Sequence, residues 1–160
     1  MSENPSLWSK IYARMLEVAQ RDPYVKVGVL ASKGGGAEIA AGGITLVQLL
    51  ATHEYGDPEI GIPERAPLRR TFAGNRAELA RFVAPLARAV MLGKMTIDRA
   101  LGLLGAWGVS EVKRTIRAGL EPPNAPSTIA RKGSSTPLVA TGQLVNSISY
   151  EIVGTRGGEE

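Results

Sequence analysis

The chain has 160 residues, 44% of them hydrophobic and 21% charged, with no cysteine, a single histidine and a net charge of +4. That length suits one domain with a real core, and the missing thiols exclude disulfide staples and thiolate metal sites. With aromatics at only 5%, packing has to rest on Leu, Val, Ile and Ala.

In chain order, residues 6–21 read as an amphipathic helix. Ser6 is placed to cap it, and Leu7, Ile11, Met15 and Val18 recur at helical spacing. The start, with Glu3 among polar residues, lacks the basic and apolar regions of a signal peptide. No apolar run approaches the roughly 18 residues that span a bilayer, so a soluble protein with no membrane partner is expected. Asp22-Pro23 stops the helix, because proline disfavours helical geometry in the residue before it. Tyr24 to Leu30 then alternates as a strand, with Val25, Val27 and Val29 on one face. Ser32 to Gly43 holds five glycines and is expected to be a mobile loop or a hairpin tip.

Thr45 is expected to cap a short helix with Leu46, Leu49 and Leu50 on its buried side. Gly56 suits the left-handed position that ends it. Pro58, Pro63 and Pro67 each lack a backbone donor, so the stretch to Phe72 reads as an ordered connector over the surface. Residues 75–92 predict a helix that Pro85 kinks or divides, and Gly93 ends it. Thr96 caps the strongest helix, with Asp98 in its first turn and an apolar stripe of Ile97, Leu101, Leu104, Gly108, Val112 and Ile116. Along one side of that helix run Gly102, Gly105 and Gly108. Interior glycines cost about 1 kcal/mol each against alanine, so close approach of another backbone must offset them. The neighbour is either this chain's own sheet or an adjacent subunit.

From Pro122 to Pro137 the composition predicts an extended arm carrying Arg131 and Lys132. Thr141 can cap one helical turn, Asn146 to Val153 alternates as a strand, and the tail from residue 154 onward reads as frayed. The expected architecture is a single α+β domain over residues 1–160. A small antiparallel sheet packs against several helices, with an N-terminal helix in 1–23, a core in 24–153 and an arm in 122–137.

No catalytic pattern emerges, and neither a metal nor a cofactor is expected. His53-Glu54 lacks the second histidine of a zinc-protease motif, since position 57 is Asp. Gly34, Gly35 and Gly36 lack both the Lys-Ser/Thr ending and the spacing of a phosphate loop. No serine stands in a Gly-x-Ser-x-Gly elbow. Charge, however, is segregated. Residues 1–64 carry net −3, residues 65–140 net +9 and residues 141–160 net −2. Arg65, Arg69, Arg70, Arg76 and Arg81 crowd a short span. Such a basic middle suits phosphate contacts or complementary faces between copies of one chain. Sequence-specific or single-strand readout lacks a recognition helix and stacking aromatics.

Two segments carry a further signal. His53-Glu54-Tyr55-Gly56 is followed by Ile62-Pro63-Glu64-Arg65-Ala66-Pro67-Leu68-Arg69. Far downstream stand Pro137, Leu138, Thr141, Gly142, Leu144, Ser147 and Ile148 in the pattern Pro-Leu-x-x-Thr-Gly-x-Leu-x-x-Ser-Ile. The pair resembles the neck (head–tail joining, or tail-completion) proteins of long-tailed bacteriophages and prophages, loosely from Val25 to Ile152. Ala66-Pro67 departs from the family's usual small residue or Pro followed by Phe, and the long glycine loop before Thr45 is a second departure.

The resemblance implies a structural virion protein that is not an enzyme, forming a homo-oligomeric ring at the neck after assembly in the host cytoplasm. Its partners would be head-completion or adaptor proteins and a tail terminator or tail tube. DNA would pass through the ring without being read. Alternatives are a tail terminator or minor tail protein, or a basic nucleic-acid-binding module.

Overall fold

A computed structural model describes residues 6–36, 43–123 and 142–154. Helix α1 (Leu7–Arg21) begins where the Ser6 hydroxyl accepts the Ser9 N–H and ends at Asp22, whose backbone is left-handed. Strand β1 (Tyr24–Val29) follows, then a single 3-10 turn over Ala31–Lys33. α2 (Leu46–Tyr55) opens with a complete capping box, the Thr45 and Gln48 side chains each bonding the other's backbone N–H. α3 (Pro67–Gly74), α4 (Arg76–Met91) and α5 (Ile97–Ala118) complete the helical layer. A short α6 (Gln143–Ser147) leads directly into β2 (Ile148–Val153).

β1 and β2 form a two-stranded antiparallel sheet, running from the Tyr24–Val153 pair to the Val29–Ile148 pair. The partner of β1 thus comes from the far end of the chain. A two-stranded sheet needs a helix against one face to be stable, and α5 supplies it. The register sets Val25 opposite Ile152, Val27 opposite Tyr150 and Val29 opposite Ile148, so both expected apolar rows share one face. That face meets the glycine side of α5. A Cβ at Gly105 would sit 2.3 Å from the Tyr150 ring and one at Gly108 would sit 3.0 Å from Val27, whereas at Gly102 the nearest atom would be 3.8 Å away. Two of the three glycines therefore admit the chain's own sheet, and Gly102 has room for a side chain.

The core joins Val29, Leu50, Val112, Ile116, Leu120, Leu144, Val145 and Ile148. Val112 and Ile116 are wholly buried, each stabilising the fold by about 1.5–3 kcal/mol. Three expectations need correction. The stretch after Pro67 is helical, because proline is tolerated at the first helical position, where its missing N–H would go unbonded anyway. Pro85 does not divide α4, which stays continuous while forgoing the bond proline cannot donate to the Arg81 carbonyl. Asn146 and Ser147 belong to α6, so the last strand starts at Ile148. Residues 37–42 of the glycine loop, residues 124–137 of the expected arm and residues 155–160 of the tail lie outside the described residues. Among the described residues no helix is long and apolar enough to cross a membrane.

Candidate functional site

The residues that carried the first sequence motif form one interlocked elbow between α2 and α3. Chain reversal begins at Gly56, whose φ of +76° favours glycine and where a Cβ would lie 2.8 Å from the Glu64 nitrogen. Asp57 and Ile62 then exchange backbone hydrogen bonds of 2.7 and 2.8 Å, closing a tight loop over Pro58–Gly61. Pro63 leads, exposed, into Glu64 and Arg65.

Glu54 is the centre of this elbow. It sits on the last turn of α2, only 5% exposed. Its carboxylate accepts the Leu68 N–H at 2.8 Å, the Arg69 N–H at 3.1 Å and the Arg69 Nε at 3.0 Å. Leu68 and Arg69 occupy the first turn of α3, where N–H groups have no partner within the helix. Ala66, with left-handed geometry (φ +48°), offers no side-chain cap. A carboxylate from α2 therefore caps α3, and its negative charge suits the helix's positive end.

The Arg69 guanidinium also donates to the Glu54 carbonyl, pairs with Glu64 at 3.1 Å and stands 5.2 Å from the centre of the exposed Tyr55 ring. The hydrogen bond to Glu54 raises the Arg69 guanidinium above its ordinary range, with the charges of Glu64 and Glu54 adding to it. Leu68 turns inward and packs against the core cluster.

Arg65 makes the second lock. It is 4% exposed. Its Nε donates to the Pro122 carbonyl at 2.9 Å, its Nη2 to the Pro123 carbonyl at 3.4 Å, and its Nη1 contacts His53 Nδ1 at 3.1 Å. A guanidinium only donates, so His53 Nδ1 accepts and the ring carries its proton on Nε2. The His53 carbonyl closes the lock from the other side, accepting the Arg65 and Ala66 N–H groups at 2.9 and 3.1 Å. These partners of Arg65 are carbonyls and an imidazole rather than carboxylates, and burial pulls its guanidinium below its ordinary value.

Of the second motif, Pro137, Leu138 and Thr141 lie outside the described residues. Gly142 (φ +66°) turns the chain into α6, Leu144 and Ile148 enter the core at 1% and 2% exposure, and the Ser147 hydroxyl donates to the Leu144 carbonyl at 2.8 Å. α6 packs against α2 and Leu144 shares its cluster with Leu50, so the described parts of both motifs meet at one corner of the fold.

The arrangement alters the reading of the basic span. Arg65 is buried and Arg69 is tied to two carboxylates, which removes both from a set available to phosphate. Arg70, Arg76 and Arg81 are exposed.

Several partners had no local signal. Glu111 is 2% exposed on α5, paired with Arg114 and receiving the Asn75 amide at 3.4 Å. Thr71 is buried and donates its hydroxyl to the Pro67 carbonyl at 2.7 Å. Pro67 just ahead of an apolar, basic run was the one cue in the sequence that α3 starts there. Among the described residues no group of three His, Asp or Glu side chains is placed to hold a metal ion. In comparisons with known proteins, no family model, no curated protein and no solved structure matches the chain.

Proposed function

We propose that this chain is a structural protein of a phage neck, forming a ring that joins the filled head to the tail and leaves an open conduit for DNA. One observation carries the reading: Leu68 of the first motif packs against the cluster that holds Leu144 and Ile148 of the second, although about 75 residues separate the two segments. The motif residues there brace the chain. His53, Glu54, Arg65 and Arg69 spend their polar atoms on backbone groups and on each other, which suits a part that bears load rather than one that transforms a substrate. Segregated charge adds support. Residues 1–64 at net −3 and residues 65–140 at net +9 give neighbouring copies opposite charges to present.

The ring would contact head-completion or adaptor proteins on one side and a tail terminator or tail tube on the other. The test is imaging of particles made with and without the chain. Heads and tails that fail to join in its absence, with ring density at the joint restored by the chain, are expected. Joined, leak-free particles without it, or joint density belonging to another polypeptide, would overturn the reading.

A further inference from the structure

Helix α1 carries an apolar arc that its own chain leaves uncovered. Leu7, Trp8, Tyr12, Met15 and Leu16 are exposed on one half of the helix, with Ile11 half-buried at its edge, and Lys10, Arg14, Glu17 and Arg21 share the other. The polar edge is the attached one. Arg14 donates to the Met91 carbonyl at 3.3 Å, while Arg21 pairs with Asp98 at 3.0 Å and donates to the Gly154 carbonyl at 3.2 Å. No residue of α1 is buried, and Trp8 is 78% exposed, Tyr12 63% and Met15 52%. Two large aromatics with Leu7, Met15 and Leu16 make a patch of roughly 500 Å², near the upper end of what a monomer leaves in water.

The chain also has a socket of matching chemistry. Val25, Val27, Phe72, Leu79, Leu104 and Trp107 line an open apolar crevice of about 240 Å³ between the sheet and the helices α3, α4 and α5. Among the described residues none that line it is charged, and it is smaller than the roughly 300–1,000 Å³ of small-molecule sites. A single aromatic anchor of the kind that dominates protein interfaces suits it better.

We infer that α1 of one copy lies across this crevice on the next copy, with Trp8 as the anchor. The inference rests on the reading of the chain as a self-assembling ring and names the contact that builds it. Because plug and socket are different surfaces, the contact is head-to-tail, and such contacts close into rings when the rotation per subunit allows. Covering the whole α1 patch would bury roughly 1,000 Å² counting both partners, the lower bound for a specific interface. A lipid surface is the poorer occupant. Such helices offer their cations to anionic headgroups, and here Arg14 and Arg21 are spent on the protein body.

The test is the mass of the full chain in solution across a concentration series. Wild type is expected to associate. Trp8→Asp (plug) and Leu104→Arg (socket) are each expected to weaken association at least about tenfold, the scale of one hot-spot residue. Leu79→Lys replaces Leu104→Arg if the latter loses its circular-dichroism spectrum. An equimolar mixture of plug and socket variants retains one intact contact, so it should give 1:1 dimers and nothing larger.

A wild type that stays monomeric, or variants that keep the wild-type mass, overturns the inference. So does loss of binding to phosphatidylglycerol vesicles by Trp8→Asp with its mass unchanged, which would make lipid the partner. Density at the virion joint decides the neck reading separately. If the chain is found there while Trp8→Asp still assembles, only the α1 contact is wrong. If α1 drives assembly but the chain is absent from the joint, only the neck reading is wrong.

Discussion

The elbow between α2 and α3 and the helix α1 treat their side chains in opposite ways. At the elbow, Glu54 and Arg65 are buried and each bonds several groups within the chain. Along α1, Trp8, Tyr12 and Met15 face water, while Arg14 and Arg21 on the opposite edge bond the body. A buried ion left without its partners is costly, so the elbow cannot open one bond at a time. An exposed apolar face costs its own chain little and is recovered only when something covers it. The elbow is therefore braced within the chain, while α1 holds surface free for contact.

Substitutions at the elbow test the first half of that contrast and should have the largest effects. Glu54→Ala removes the cap of α3 and the partner of Arg69. It should destabilise the fold by about 2–3 kcal/mol in urea unfolding, the scale of losing a helix cap whose part-buried N–H donors are left without an acceptor, since Arg69 is half-exposed and keeps Glu64. Glu54→Gln keeps one acceptor oxygen and should lose less. A loss for Glu54→Ala below about 1 kcal/mol, the range of an exposed pair, would show that the carboxylate is not needed as a cap. Gly56→Ala should come next. Its φ of +76° and ψ of 170° lie where non-glycine residues cost about 1–3 kcal/mol, and the Cβ would also press on the Glu64 backbone.

The same contrast explains what could be read from the sequence. Local signals were legible. Ser6, Thr45 and Thr96 cap the helices they precede, and the rows Val25-Val27-Val29 and Ile148-Tyr150-Ile152 fall on one face of the sheet. Non-local signals were not. α3 begins on a proline with no cap of its own, and the carboxylate that caps it comes from position 54, fourteen residues earlier. Arg65 has the composition of a surface cation and is buried only because Pro122 and Pro123, fifty-seven and fifty-eight positions away, fold back onto it. Within the candidate site, the types and order of His53, Glu54, Arg65 and Arg69 were readable. Their pairing depends on an elbow whose geometry only the folded chain defines. Residues 37–42, part of the glycine-rich stretch before Thr45, lie outside the described residues.

Two glycines of α5 sharpen the contrast at smaller scale, within one helix. Gly105→Ala gains about 1 kcal/mol of helix propensity, but its Cβ would meet the Tyr150 ring at 2.3 Å. Overpacking costs about 1–3 kcal/mol, so a net loss is expected. Gly102→Ala meets nothing nearer than 3.8 Å and should raise stability by up to about 1 kcal/mol. Thermal unfolding of the two variants side by side checks the sign at each site. A loss at Gly102 equal to that at Gly105 would mean that sheet and helix press together along the whole glycine row.

The smallest expected effect belongs to α1. Trp8 is the most exposed of the large apolar side chains among the described residues, at 78%. At a concentration where the chain is monomeric, Trp8→Ser should change unfolding stability by no more than about 0.5 kcal/mol, as for other surface positions. The denaturant slope should also stay as in wild type, since little buried surface depends on the indole. A larger loss in the dilute monomer would mean that Trp8 packs on its own chain, and α1 would then belong with the elbow. If the dilute monomer is unaffected while wild type gains stability with concentration and Trp8→Ser does not, the indole's contribution comes from another copy. That outcome would separate the surface that holds the fold together from the surface that holds copies together.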